Sequence, residues 1–527
     1  MPKQQTEFLI DLIRRLTKAE KRSFRLFANR QNSNEDKLFM ILFDYIEGTP
    51  EYNEEELLKK FPQIKKIQLS NIKANLYRQL LTNLRLLYRN TQEDINTREL
   101  IDFAKILHAK GLYRASLDVL YKAKYQALDR EDYSLAYIAL EFERQLENQY
   151  ITGSMAEKAE EIEIESKHLG KHLLLSNDLA NLSLRLYGLY LRLGYVKDSR
   201  DAMFIKEFFN SHLPQNLVEK ELTFYGKMYL YQSYVWYYNM LQDFANNYRF
   251  SQKWAELYDV YPEKMKTETS TYIKAMHNVL SATFMVQRLE KFEANFEKLL
   301  TFGHNYQAVF TQNDESVYAL VKYTHQLNHV FITGQYTLGS KNLKELEHHL
   351  EENTYGWDVN RTIVFYYKIA CVYFGADDYS RCIDYLNKII NTPVADIRTD
   401  MQCFARILNL IAHFELGNQL LISYQVKSVY RFLSKMEELH AVQREIFAFL
   451  RKTPGMVPAK LKNELKALRT KLQRYQNDPY EKRAFLYLDI IAWLDSKIEG
   501  TTIENIIQAK SRLLQQNQVN RVGDKDK

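Results

Sequence analysis

Apolar residues return at intervals of three and four along almost the whole chain, and no long stretch alternates them with polar ones as a half-buried strand would. That period commits the polypeptide to amphipathic helices, which must bury their stripes against one another. Turn-forming residues are scarce: 16 Gly and 9 Pro in 527 residues leave little for tight turns or phosphate-cradling loops. With 46% apolar and 26% charged residues, the chain can build a sizeable core. The expectation is an all-α protein.

Residues 1–91 read as one helical domain. Leu9, Leu12, Ile13 and Leu16 form a first stripe, and Thr17 with Glu20 has capping-box spacing for a second helix. Leu38, Ile41, Leu42 and Tyr45 form a third stripe, which Gly48-Thr49-Pro50 ends. Asn53 and Glu56 are placed to cap a short helix that Pro62 stops. A long helix near 68–90 follows, with Leu69, Ile72, Leu76, Leu80, Leu84 and Leu87 on one face and Arg78, Arg85 and Arg89 opposite.

From residue 92 to 452 the texture becomes helix pairs. The segment Gly111-Leu112-Tyr113-Arg114-Ala115-Ser116-Leu117 continues through Leu120 to Ala123: a glycine turn, an aromatic, then small and large apolar residues at helical spacing. The order returns from Asp377-Asp378-Tyr379 through Cys382, Ile383 and Leu386, preceded by a helix carrying Ala370 and Tyr373. These segments resemble the tetratricopeptide repeat, whose second helix carries such a glycine–aromatic–alanine order. Weaker copies stand at Gly194-Tyr195, Asp243-Phe244, Phe292, Gly334-Gln335-Tyr336 and Gly417. The resemblance implies an α-solenoid of about 41–48 residues per unit against the family's 34, hence longer helices, and an unseen unit near Gly153. It implies no catalytic residue. Stacking explains the pattern physically, because a single pair cannot bury its stripe alone.

Thr453-Pro454-Gly455 breaks the array. Leu461, Leu465, Leu468 and Leu472 then make a helix-pair seam, Pro479 ends that helix, and two helices near 480–498 and 503–516 complete a C-terminal cap. Thr501 and Glu504 have capping-box spacing, and residues 517–527 read as a disordered tail.

Familiar chemistries find no purchase. No G-x-G-x-x-G or G-x-S-x-G occurs, and Gly334-x4-Gly339-Ser340-Lys341 reverses the Lys-Ser order of a phosphate loop, so it reads as a repeat turn. Glu165/His168, Glu345/His348 and Glu437/His440 have the Glu-x-x-His spacing of di-iron bundles, but would lie on separate repeats. His325 and His329 lack the intervening glutamate of a zinc hydrolase. The only cysteines, Cys371, Cys382 and Cys403, suit packing in a reducing compartment rather than a disulfide framework. No signal-like or membrane-spanning run is present, so the expected location is cytoplasmic. No catalytic residue, metal, cofactor or small-molecule substrate is implied.

The net charge of +6 is unevenly spread: residues 1–91 carry +6 and 451–474 carry +7, leaving −7 elsewhere. Arg14, Arg15, Lys18, Lys21, Arg22 and Arg25 cluster in two early helices. Lys65 and Lys66 precede the helix bearing Arg78, Arg85 and Arg89, a short-helix, turn, long-helix order that suits a helix-turn-helix reader. Two functions follow. One is a non-enzymatic interaction scaffold gripping a protein or peptide. The alternative is a nucleic-acid-associated regulator, with 1–91 as reader and the repeats as sensor or dimeriser.

Overall fold

The computed structural model describes residues 3–29, 34–149, 155–196, 198–393, 399–435, 441–453, 455–476, 478 and 489–523. Its regular structure among those residues is entirely helical, and the chain divides into two compact units, 1–174 and 175–527.

The first unit opens with α1 (Lys3–Arg15), α2 (Lys18–Ala28), α3 (Asn34–Gly48), α4 (Glu54–Lys60) and α5 (Lys66–Tyr88). Their shared core includes Leu9, Ile13, Phe24, Phe39, Phe43, Leu69, Leu76 and Leu80. The Thr17–Glu20 capping box forms: the Glu20 amide donates to Thr17 Oγ1 at 3.2 Å, and the Thr17 amide donates to Glu20 at 2.6 Å. Asn53 caps α4 by accepting from the amides of Glu55 and Glu56. The apolar face of α5 is shorter than the leucine spacing suggests. Leu84 is half-buried and Leu87 is 40% exposed.

The rest of the unit comprises α6 (Glu93–Ala109), α7 (Tyr113–Asp129), α8 (Tyr133–Gln149) and α9 (Met155–Leu193), whose sequence spans the boundary. This segment has its own core, with Ile101, Ala104, Leu120, Ala123, Ala136 and Leu140. Gly111 takes φ +76° in the turn between α6 and α7, a left-handed conformation that glycine adopts without a Cβ clash. The next turn uses Glu131 at φ 56°, with Asp132 accepting from the Leu135 amide to start α8. That glycine-free turn adds a helix boundary that the sequence reading does not place. Gly153 itself lies outside the described residues, and α9 runs without interruption past Gly170.

The second unit continues with α10 (Ser199–His212), α11 (Phe224–Met240), α12 (Phe244–Val260), α13 (Lys264–Thr267), α14 (Thr269–Met285), α15 (Leu289–Tyr306), α16 (Gln312–Thr333), α17 (Tyr336–Lys341) and α18 (Lys344–Glu351). Then come α19 (Val359–Gly375), α20 (Tyr379–Ile390), α21 (Thr399–Glu415), α22 (Gln419–Lys435), α23 (Ala441–Lys452), α24 (Pro458–Gln473), α25 (Ile490–Glu499) and α26 (Ile503–Gly523). Helices pack on their neighbours in order: α11 on α12, α14 on α15 and α16, α16 on α19, α19 on α20, α20 on α21 and α21 on α22. This is an all-α helical-repeat solenoid. Left-handed turn residues recur at Gly194, Gln242, Gln287, Gly334, Asp377 and Gly417, close to the turn positions read from sequence.

Aromatic and small side chains seal the seams. Tyr336 lies so close to Gly375 that a Cβ there would stand 2.3 Å from the ring. Leu465, Leu468 and Leu472 are buried as the seam requires, and Leu461 packs beside them. Pro454 and Pro479 lie outside the described residues, as do 480–488, so the described part of the penultimate helix begins at Ile490. Two C-terminal expectations change. Helix α26 runs on to Gly523, beyond the end placed at 516, and residues 524–527 lie outside the described residues. Glu504 does not close a capping box with Thr501. Its carboxylate accepts from the amide and hydroxyl of Thr337, at 2.9 and 2.6 Å, while Thr502 accepts from the Asn505 amide.

Candidate functional site

The residues of the early basic helices divide into those held by the fold and those left outward. Arg14 donates to the Pro50 carbonyl, and Lys21 pairs with Glu47 at 3.4 Å. Arg25 reaches Asp44 at 3.0 Å and also Glu47, while Arg89 sits 3.8 Å from Glu99. These four cations tie helices together. Arg15, Lys18, Arg22, Lys65, Lys66, Arg78 and Arg85 are exposed, Arg78 also donating to Asn75 at 3.1 Å.

The residues of the repeat signature are packing residues. Ser116 is buried and donates to the Ala104 carbonyl at 2.7 Å, drawing α7 onto α6, while Leu117, Leu120 and Ala123 line the seam and Tyr113 opens α7 half-buried. In the later pair Ala370, Cys382 and Leu386 are fully buried, with Ile383 close behind. The Tyr373 and Tyr385 hydroxyls both donate to Glu347, at 2.7 and 2.9 Å, and that of Tyr379 donates to Asp377. Burial pushes the Cys371 thiol up to about 12, which keeps it protonated and inert.

Side chains considered as metal ligands are spent elsewhere. Glu165 pairs with Lys124 at 2.7 Å, and His168 stands against His172. Glu345 accepts from Tyr323 at 2.6 Å, and His329 meets Glu293 at 3.2 Å. Glu437 and His440 lie outside the described residues. Among the described residues no group of three or more His, Cys, Asp or Glu is placed to hold a metal ion.

Two features of the second unit escape the sequence reading. The first is a trough of about 320 Å³ between α12 and α15, floored by α14. Tyr272, Met276 and Val279 form an apolar floor. Glu256 and Asp259 rim one side, Glu290, Lys291 and Lys298 the other, and Lys298 reaches across to Asp259 at 3.6 Å. Ala294 on α15 is exposed on the rim and leaves the trough open there.

The second is a polar chain through the core of α14, α16 and α19. Lys368 donates to Asn328 Oδ1; Asn328 Nδ2 lies 3.2 Å from His325 Nδ1; His325 Nε2 lies 3.0 Å from Nδ1 of half-buried His277. Burial lowers the Lys368 amine to about 7, against the opposing influence of the Cys371 thiol. Burial and the Lys368 charge together lower His277 to about 4, and burial, His277 and Lys368 hold His325 well below its ordinary value. The sequence does carry a signal, since Lys368 interrupts the apolar run Phe365 to Phe374.

The C-terminal helices lie along inter-helix turns of the same unit. The Trp493 indole donates to Glu415 at 2.6 Å, Lys497 pairs with the same carboxylate, and Gln508 donates to the Gly334 carbonyl at 3.4 Å. No helix among the described residues is long and apolar enough to cross a membrane. No family model, curated protein or solved structure matches the chain.

Proposed function

We propose that this chain is a non-enzymatic adaptor, built on tetratricopeptide-like helix pairs, that grips a short peptide segment of a protein partner. The trough between α12 and α15 carries the reading. Its apolar floor would take an anchoring side chain, and its rim offers the carboxylates Glu256 and Asp259 on one side and both signs, Glu290 with Lys291 and Lys298, on the other. Such a rim suits a segment bearing both charges around an apolar residue, in the manner of helix-in-groove recognition. About 320 Å³ holds a few side chains rather than a folded domain. Among the described residues, Glu165, His329 and Glu345 are engaged in ion pairs and hydrogen bonds. We place this adaptor in the cytoplasm, a reducing setting that suits its three buried free thiols.

Peptide display against the full-length protein tests the reading. Selected peptides should share an apolar anchor, and Ala294→Arg, which fills the trough from an exposed position, should weaken them at least tenfold (~1.4 kcal/mol) without changing the melting temperature. If no peptide is enriched, or if the selected ones bind Ala294→Arg equally well, the trough is not the site.

A further inference from the structure

Beyond the trough, and independent of it, the first unit carries a surface with a different chemistry. Residues 57–92 contain no aspartate or glutamate, yet include Lys59, Lys60, Lys65, Lys66, Lys73, Arg78, Arg85 and Arg89. The fold withdraws two of these. Lys73 is buried against Tyr52 and bonded to Glu54 at 2.9 Å, and Arg89 faces Glu99. Lys59 and Lys60 are exposed but stand one turn after Glu55 and Glu56 on the short helix α4, so their charge is largely offset. Lys65, Lys66, Arg78 and Arg85 are exposed and make no ion pair among the described residues.

Helical periodicity places Arg78 and Arg85 outward, while Lys65 and Lys66 stand at the helix entry. The buried residues Leu69, Ile72, Leu76 and Leu80 define the inward face of α5. At 100° per residue, Ile67, Asn71, Ala74, Arg78 and Arg85 fall on the opposite side, and all are exposed. Gln68, also exposed, lies beside that stripe at the first turn. The result is a helix whose outward first three turns mix amides with small and apolar side chains, with lysines at its entry and arginines farther along.

We propose that this outward face of α5, entered from the α4–α5 turn, docks double-stranded DNA in its major groove. The chemistry divides as such a contact requires. Cations meet phosphates and position the helix, while amides such as Asn71 and Gln68 present paired donor and acceptor groups to base edges. Ile67 is 87% exposed, an awkward exposure in water but suited to a thymine methyl group. Helix α4 precedes α5 across a short turn, as the first helix of a helix-turn-helix does where it crosses the backbone. An acidic protein would satisfy the lysines and arginines, but it would leave the amide-bearing turns without a matching partner.

The test is fluorescence anisotropy of the full-length protein with a labelled duplex of roughly 25 base pairs, titrated between ~50 and ~200 mM salt. Four phosphate contacts predict a log–log slope near about −4, an affinity loss of about 100-fold across that range. Lys65→Ala/Lys66→Ala should flatten the slope by about 2 and weaken binding to every duplex alike. Lys460→Ala/Lys466→Ala, on exposed positions of α24, should change neither. Circular dichroism melting checks that all variants are folded. No binding at ~50 mM salt overturns the proposal, as does an unchanged slope in the Lys65/Lys66 variant. Equal competition by polyglutamate would assign the surface to acidic proteins instead. Equal binding of duplex RNA, whose deep and narrow major groove excludes a helix, would overturn the groove contact.

Discussion

Both units bury ionisable groups, and Glu143 in the first and Lys368 in the second are treated in opposite ways. In the first unit Glu143 is fully buried, and its oxygens face Lys124 at 2.6 Å and Lys158 at 3.0 Å, with Lys124 also reaching Glu165. Burial alone would lower both amines, but their bonds to Glu143 more than reverse it, and both are raised. In the second unit Lys368 gives its hydrogen bond to a neutral amide, beside an aromatic ring and a thiol, and burial wins. Burial therefore does not fix the protonation of an interior group; the chemistry of its nearest neighbours does. The first unit keeps its charges and matches them. Around Lys368 the second sheds charge along a chain of neutral donors and acceptors, although it too matches a buried carboxylate, Asp495, with Arg469 and Lys510.

Removing one member of the matched set should be the most damaging change. Glu143→Leu would strip Lys124 and Lys158 of their shared buried carboxylate, leaving them only Glu165 and Glu161, at a cost of about 3 kcal/mol in urea unfolding. Lys124→Met/Glu143→Leu should recover part of that loss, because fewer like charges remain. A Glu143→Leu cost below ~1 kcal/mol, the range of an exposed pair, would mean that the network is solvated in solution and that the contrast between the units is false.

The opposite substitution in the second unit should stabilise. The Lys368 amine titrates near 7 when folded, against about 10.5 unfolded. A depressed base contributes its stability above the unfolded value and loses it as pH falls from 10.5 towards 7. At pH 7 the wild-type chain therefore bears most of this penalty. Lys368→Met removes it but leaves Asn328 without that donor, so a net gain of about 1–3 kcal/mol is expected at pH 7. The advantage should shrink by up to about 1.4 kcal/mol per unit as pH rises from 7 to 9, measured as the difference between variant and wild type so that other titrations cancel. A constant difference would show that Lys368 stays charged throughout. His277 carries the acid side of the same chain: held at about 4 against 6.5, it contributes stability above pH 6.5 that fades as pH falls towards 4. His277→Gln should flatten that limb.

The contrast was only partly legible in the sequence, for physical reasons. Helix class, the Thr17–Glu20 cap and the turns at Gly111 and Gly334 follow from local rules, since a cap or a left-handed glycine involves residues within four positions. The turn at Glu131 escaped because it uses no glycine, although Asp132 marks the start of the next helix. Long-range partners escaped for a deeper reason. Nothing local tells Arg25 that Asp44 and Glu47 will claim it, or distinguishes it from Arg78, which remains outward. The trough was invisible because its walls come from three helices, while the interior polar chain left one readable mark, Lys368 inside an apolar run.

Glu504, half-buried but with its bonds exposed, is a counterpart to Glu143, and the smallest effect belongs there. Local spacing assigns it to its own helix terminus, yet its carboxylate bonds across 167 positions to the amide and hydroxyl of Thr337. Two bonds to a carboxylate would be worth several kcal/mol in a dry interior, but both are exposed and compete with water. Glu504→Ala should therefore cost only about 1 kcal/mol, and Thr337→Ala less, since it removes the hydroxyl donor and keeps the amide. Global melting will barely register such a change, whereas local opening will. Limited trypsin digestion should cut α26 near Lys510 and Arg512 about fivefold faster in Glu504→Ala, because ~1 kcal/mol raises the open population by that factor. Equal cleavage rates would show that Ile507 and the core contacts of α26 hold it without the carboxylate. An exposed polar clasp would then contribute nothing measurable, where a buried one contributes several kcal/mol.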